Sequence, residues 1–136
     1  MPNPSDAEIK EVLTRYKKIA VVGLSPDESR PSFGVSQYMM KHGYEITGVR
    51  PAQKEIMGRP CYASLKDVPA PLEIVDVFRA SDAIPAVVDE CIPLKPKVLW
   101  LQLGITHPEA EEKARKAGII VISDKCILVE HRRLMC

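Results

Sequence analysis

The sequence predicts an α/β protein: a doubly wound parallel sheet of about five strands, covered by helices on both faces in three α/β/α layers. Two observations predict this. Short, β-branched apolar runs alternate with longer stretches of helical period along the whole chain. Glycine or proline then marks nearly every boundary between them. With 136 residues, the chain reads as a single domain, residues 1–136, large enough for a real core and too short for two.

The first element is a helix over residues 5–17. Ser5 with Glu8 three residues later forms a capping-box pattern. Ile9, Val12, Leu13 and Tyr16 share one face, and Lys17 and Lys18 suit the negative end of the helix. "KIAVVG" is a buried strand stopped by Gly23. A polar loop holding Pro26 and Pro31 follows. A helix then starts at Ser32, with Val35, Tyr38, Met39 and His42 on one face and Gly43 at its end.

"YEITGV" is the second strand. Residues 50–71 show no strong period and read as a long connection with one helical turn near residues 64–68. "EIVDVF" is the third strand. "SDAIPAVVDECIPL" is a helix opened by Ser81 or Asp82, with Pro85 in its first turn. "KVLWLQL" is the fourth strand, and its Trp100 belongs to the core. "THPEAEEKARKAG" is a helix with Thr106 as cap, acids leading and bases trailing. "IIVIS" is the fifth strand, and residues 125–133 form a last short helix.

Composition limits the functions available. Hydrophobic residues make up 46% and charged residues 27%, with a formal net charge of +1. That balance describes a globular chain and gives no case for a nucleic-acid or acidic-membrane partner. No apolar run approaches the roughly 20 residues that span a bilayer. The first residues carry acids and no apolar core, so no secretory signal is expected and the cytoplasm is the expected location. Cys61, Cys91, Cys126 and Cys136 have no C-x-x-C spacing and form no recognisable motif with His42, His107 and His131. The spacing therefore predicts free thiols and no metal site.

In a doubly wound sheet the ligand crevice lies beyond the carboxyl ends of the strands, where the strand order reverses. The unusual chemistry of this chain is concentrated there. Gly23 allows a sharp turn out of the first strand. Ser25, Ser29, Arg30 and Ser32 offer donors just before a helix N-terminus, which favours an anion. Gly34 permits close approach of that helix. At the end of the second strand, a site for NAD would place a carboxylate on the ribose. This chain has Arg50 followed by Pro51, and an arginine there calls for a phosphate. NADP and coenzyme A both carry a phosphate on the adenosine ribose. Phe78 and Arg79 close the third strand with an aromatic surface and a cation.

The segments "VVGLSPDESRPSFGV", "GYEITGVRP", "GRPCYASLKDVP", "VDVFRASD", "LWLQLGI" and "ISDKC" resemble, in that order, the small stand-alone coenzyme A-binding proteins. These are one-domain relatives of the coenzyme A-binding domain of succinyl-CoA synthetase. The resemblance runs from about residue 5 to about residue 134. It implies a Rossmann-type domain holding coenzyme A, or an acyl-CoA, across the strand ends. Gly23, Leu24 and Ser25 would line the pyrophosphate, with Arg30 and Ser32 supporting it. Val49, Arg50 and Pro51 would border the adenosine, and Phe78 and Arg79 would flank the nucleotide. Relatives often carry asparagine where this chain has Arg50.

The expectation is a binding module with no catalytic residue of its own: a carrier, sensor or sequestrator, with a homodimer through an apolar edge or helix face. One alternative is an NADP-binding protein. Another is a small enzyme of acyl-CoA or of the coenzyme A thiol, using His107 as acid–base or Cys126 as thiol. Cys126 stands at the edge of the expected site, where it would form a mixed disulfide with coenzyme A by attack on coenzyme A disulfide, releasing one coenzyme A thiol. The synthetase phosphohistidine lies in a second domain that has no counterpart here, so phosphoryl transfer to His107 is not implied. A third alternative is an interaction protein with an empty crevice.

Overall fold

The computed structural model describes residues 3–136. The chain runs α1 (Asp6–Arg15), β1 (Lys18–Val22), α2 (Pro31–Lys41), β2 (Glu45–Val49), β3 (Glu55–Ile56) and β4 (Arg59–Tyr62). It continues through β5 (Ile74–Val77), α3 (Ile84–Leu94), β6 (Val98–Leu101), α4 (Pro108–Lys116), β7 (Ile120–Ile122) and α5 (Ile127–Met135). The sheet has seven strands in the order β3-β4-β2-β1-β5-β6-β7, parallel throughout except for the β3/β4 pair. The doubly wound α/β expectation holds.

The strand count of five does not. The connection over residues 50–71 contains two further strands, and β4 joins the sheet beside β2. Their turn is Met57-Gly58, both at positive φ (58° and 71°). That is the geometry of a tight hairpin matched to strand twist. A strand of two residues carries no period to detect, and Pro60 within β4 argues against a strand on sequence grounds. It is tolerated on this short outer ladder.

Two apolar cores sandwich the sheet. On one face Ile9, Val12 and Leu13 of α1, Met39 of α2 and Ile127 of α5 pack on Ile19, Val21, Ile46, Ile74 and Trp100. On the other, Val87, Val88 and Cys91 of α3 and Ala110 and Ala114 of α4 pack on Ala20, Val22, Val75, Val77, Leu99 and Leu101. Alternate residues of each strand therefore serve opposite layers, as a sheet covered on both faces requires. Trp100 is fully buried and its indole Nε1–H donates to Lys125 O at 2.7 Å.

Local signals behave as their chemistry dictates. Ser5 Oγ accepts from Glu8 N, and Glu8 Oε1 accepts from Ser5 N, both at 3.2 Å, which completes the capping box. Several boundaries move, among them the last helix, which runs Ile127–Met135 rather than 125–133. α2 begins at Pro31 rather than Ser32, since proline already has helical φ at a first position. A 3₁₀ turn, Ser81–Ala83, precedes α3, and neither Ser81 nor Asp82 caps it. The cap of α4 is His107, one residue beyond Thr106.

Candidate functional site

The strand register builds the site. Val22 of β1 stands level with Val49 of β2 and Val77 of β5, and Val77 stands level with Leu101 of β6. The next residue of each strand lies side by side at the carboxyl edge: Arg50, Gly23, Phe78 and Gln102. Gly23 N donates to Val49 O and Phe78 N to Val22 O, each at 2.9 Å, so these turns remain tied to the sheet. The chain winds outward from β1 to β2 and returns to β5 on the other side. β1 is therefore the point where the winding reverses, and a cleft opens above it.

The loop after β1 is held by its own polar groups. Ser25 N donates to Ser32 Oγ at 2.9 Å, and Asp27 N donates to Ser25 Oγ at 3.0 Å. Asp27 Oδ1 accepts from Ser29 N at 2.9 Å and Ser29 Oγ at 2.8 Å. These bonds hold the Asp27 carboxyl below the usual carboxylate range. Both Ser25 and Ser32 accept through oxygen, which leaves each hydroxyl hydrogen to donate. Arg30 is the N-cap residue of α2 and its side chain makes no capping bond. No acidic residue occupies the first turn of that helix, so its amide groups and dipole favour an anion.

The cleft has a volume of about 660 Å³. Its lining is Gly23, Ser25, Arg30, Pro31, Ser32, Val35, Arg50, Phe78, Arg79, Ala80, Gln102, Leu103, Ile105 and Cys126. It contains three arginines and no carboxylate. Among the described residues, Arg30, Arg50 and Arg79 form none of the ion pairs, whereas Arg15, Arg59, Arg115 and Arg133 all do. Three guanidinium groups without partners around one concavity create a local positive field in a chain of near-zero net charge. The rest of the wall is largely apolar. Leu103 stands at its rim 70% exposed.

Of the residues singled out in the sequence, Gly23, Ser25, Arg30, Ser32, Arg50, Phe78 and Arg79 meet in this cleft. Leu24 does not line it: its side chain is fully buried beneath the loop in the α1/α2/α5 core. Val49 points into the opposite core. Pro51 is exposed outside the lining.

Pro31, Val35, Ala80, Leu103 and Ile105 join the wall. All but Val35 lie in the segments after β1, β5 and β6, up to the first residue of the helix that follows, where position at a strand end was the signal for them. Gln102 is buried, with Oε1 accepting from Ile127 N at 3.2 Å. It thus caps the first turn of α5 and aligns Cys126, the residue before that helix. Asp124, at φ 56°, accepts from Gly104 N at 2.7 Å and joins the β6 and β7 end loops. His107 stands away from the cleft lining: its Nδ1 accepts from Ala110 N at 3.2 Å, and its backbone N–H donates to Glu111 at 2.7 Å. It works as a helix cap.

One buried acid escaped the sequence reading. Asp76 lies in β5, two residues before Phe78, and is 1% exposed. Its Oδ1 has no hydrogen-bond partner among the described residues. Burial pushes its carboxyl well above the usual carboxylate range.

The fold and cleft define a class: a doubly wound domain with an arginine-lined, carboxylate-free cleft at its switch point. Comparison with known proteins gives the family. A family model described as a CoA binding domain matches residues 17–132, and the chain belongs to that family. An uncharacterised Bacillus subtilis protein, YneT, is 45% identical over 131 residues, covering 96% of this chain and 97% of that one. A solved structure of a hypothetical protein from Pyrococcus horikoshii matches with a TM-score of 0.94 and 40% identity, over 98% of this chain and 94% of that one. The ADP-forming acetate–CoA ligase I of Archaeoglobus fulgidus is 28% identical over 121 residues. That match takes in 82% of this chain but only 18% of the ligase. Among the described residues, no helix is long and apolar enough to cross a membrane.

Proposed function

We propose that this protein binds coenzyme A, free or acylated, in the cleft above β1 and acts as a binding module without chemistry of its own. The observation that carries this reading is the convergence of Arg30, Arg50 and Arg79, none ion-paired, on one carboxylate-free cleft. Membership of a family described as a CoA binding domain supports coenzyme A over other phosphate-bearing nucleotides. The name of the acetate–CoA ligase points to the same ligand. Ligation itself is not part of the proposal, because most of the ligase's length lies outside the match.

Each part of the ligand has a complementary surface. The pyrophosphate sits at the N-terminus of α2, with the Ser25 and Ser32 hydroxyls and Arg30 as donors. Arg50 faces the ribose 3′-phosphate at the end of β2. Phe78 offers a flat apolar surface, and Arg79 a charge beside it. Leu103, Ile105 and Cys126 form the apolar wall for the pantetheine arm. A second reading, attack of the Cys126 thiolate on coenzyme A disulfide to form a mixed disulfide and release one coenzyme A thiol, is favoured by the presence of Cys126 in the wall.

Titration calorimetry with coenzyme A, 3′-dephospho-coenzyme A and NADP tests the reading. Binding of coenzyme A, weakened without the 3′-phosphate, supports it. Preferential binding of NADP replaces it with the NADP reading, and no binding of any of the three rejects a nucleotide site.

A further inference from the structure

A second cluster of reactive side chains lies away from the cleft, where the C-terminal ends of α2 and α5 meet. His42 follows α2 as its C-cap, while His131 lies in α5 and Cys136 caps that helix. One ligand atom from each of the three side chains lies within 4.8 Å of the others. His131 Nδ1 is 3.9 Å from Cys136 Sγ, and the His42 and His131 ring centroids are 4.8 Å apart.

The hydrogen bond at His42 favours ligation. His42 Nδ1 is 2.9 Å from the Tyr38 carbonyl oxygen. A carbonyl only accepts, so Nδ1 carries the proton and Nε2 keeps its lone pair. An imidazole that donates to a backbone carbonyl through one nitrogen and binds through the other is the usual arrangement at protein metal sites. His131 is buried, with the Tyr44 ring edge-on to it and the Tyr38 hydroxyl 2.9 Å from Nδ1, the nitrogen that faces Cys136; a cation bound there replaces that hydroxyl as the partner of Nδ1. His131 is a fixed post, whereas His42 and Cys136 are exposed and free to adjust. Bonds of about 2.0–2.3 Å in a tetrahedral zinc site place ligand atoms roughly 3.3–3.7 Å apart. The observed spacings, up to 4.8 Å, need a closure of a few tenths of an ångström to about one and a half ångströms.

We propose that His42, His131 and Cys136 form a binding site for a borderline-soft divalent cation of the Zn²⁺ type, which clamps α2 to α5. The donor set is two imidazoles and a thiolate with no carboxylate, which selects against Mg²⁺ and Ca²⁺. Binding forms the metal–sulfur bond as the Cys136 thiol releases its proton to solvent. The fourth position belongs to water. The N-terminal ends of the same two helices border the ligand cleft, through Arg30 to Ser32 on one and Cys126 on the other. The site therefore fixes the far ends of both helices that frame the cleft. Local spacing concealed it, because 89 positions separate His42 from His131 (131 − 42).

Titration of chelator-treated protein with Co²⁺ tests the proposal independently of any nucleotide. The expected result is a 1:1 complex with visible d–d bands and a thiolate-to-cobalt charge-transfer band. Cys136→Ser loses the charge-transfer band, and His42→Ala weakens binding at least about tenfold. Both residues are exposed, so both variants keep the fold by circular dichroism. Cys126→Ser retains the full signal. Zn²⁺ raises the melting temperature of the parent protein and not of Cys136→Ser. Absence of a thiolate band in the parent, an unchanged titration in Cys136→Ser and His42→Ala, or loss of the band in Cys126→Ser each overturns it.

Discussion

A Cβ placed on Gly23 would stand 2.6 Å from the carbonyl oxygen of Phe78. Gly23 also has φ +85°, so a side chain there is opposed by both backbone conformation and contact with fixed backbone. The two strand ends that border the switch point approach this closely only because one of them is glycine. Gly23→Ala is expected to cost about 1–3 kcal/mol of stability and to weaken coenzyme A binding more than tenfold by displacing the Phe78–Arg79 turn. Gly58→Ala is the control. Gly58 has φ +71° but open space around it, so only the conformational cost of about 1–2 kcal/mol applies. Urea denaturation and calorimetry on the two variants separate these effects. Equal affinity in both removes the Gly23 contact from the site.

The three arginines of the cleft predict a salt-dependent affinity. A charge-assisted hydrogen bond contributes about 1.5–3 kcal/mol, so Arg30→Ala, Arg50→Ala and Arg79→Ala should each weaken coenzyme A binding about 10- to 100-fold. Each loss should shrink as ionic strength rises. Arg50 makes a narrower prediction. If it holds the 3′-phosphate, Arg50→Ala costs affinity for coenzyme A and almost nothing for the dephospho form. Equal losses on both ligands place Arg50 elsewhere.

Cys126 and Cys136 are the two thiols outside the core, and only Cys126 lines the cleft. Burial raises the Cys61 thiol pKa and pushes that of Cys91 up to about 12. Alkylation with iodoacetamide should therefore modify Cys126 and Cys136, and saturating coenzyme A should protect Cys126 alone. Coenzyme A disulfide should transfer one coenzyme A to Cys126 and release one free coenzyme A thiol. Intact-mass measurement on the parent and on Cys126→Ser reads both outcomes. Protection of Cys136, or an adduct that survives Cys126→Ser, rejects the placement of the pantetheine end.

His107 is expected to behave as a cap. His107→Ala removes the acceptor for Ala110 N and should destabilise the protein by about 0.5–2 kcal/mol. Coenzyme A affinity should not change, because the ring is outside the cleft. A large loss of affinity with unaltered stability would return His107 to the site.

The regular elements were legible wherever one local rule was enough. Ser5 and Glu8 specify the start of α1, and runs such as "KIAVV" and "IIVI" specify the central strand β1 and the edge strand β7 by apolar content alone. Strand-end position then located Gly23, Arg50, Phe78 and Arg79. What stayed hidden depends on partners distant in the chain. Glu55–Ile56 is a strand because β4 lies beside it. Leu24 follows the key glycine, yet its side chain turns under the loop into the core. Thr106 and His107 are both chemically competent caps, and Pro108 at the first helical position decides for His107. Asp76 sits in a strand covered on both sides, where alternation cannot reveal which residue lacks a solvent face.

That buried acid gives the last prediction. Asp76 is enclosed between β1 and β6, level with Val21 and Trp100, and desolvation raises its carboxyl pKa well above 3.8. In the unfolded chain the same carboxyl ionises near its ordinary value of about 3.9. The folded-state pKa is thus the higher of the two. Stability associated with the protonated group is fully present below the unfolded pKa and is lost as pH rises through the folded one. Asn in place of Asp keeps the shape and removes the titration. Asp76→Asn should therefore gain stability relative to the parent as pH rises from about 5 to about 8. The absolute offset at low pH depends on how the new amide is accommodated, whereas the pH slope does not. Urea midpoints of the two proteins across that range give the slope directly. Parallel profiles would mean that Asp76 is ionised in the folded protein, held by a partner outside the geometry described here.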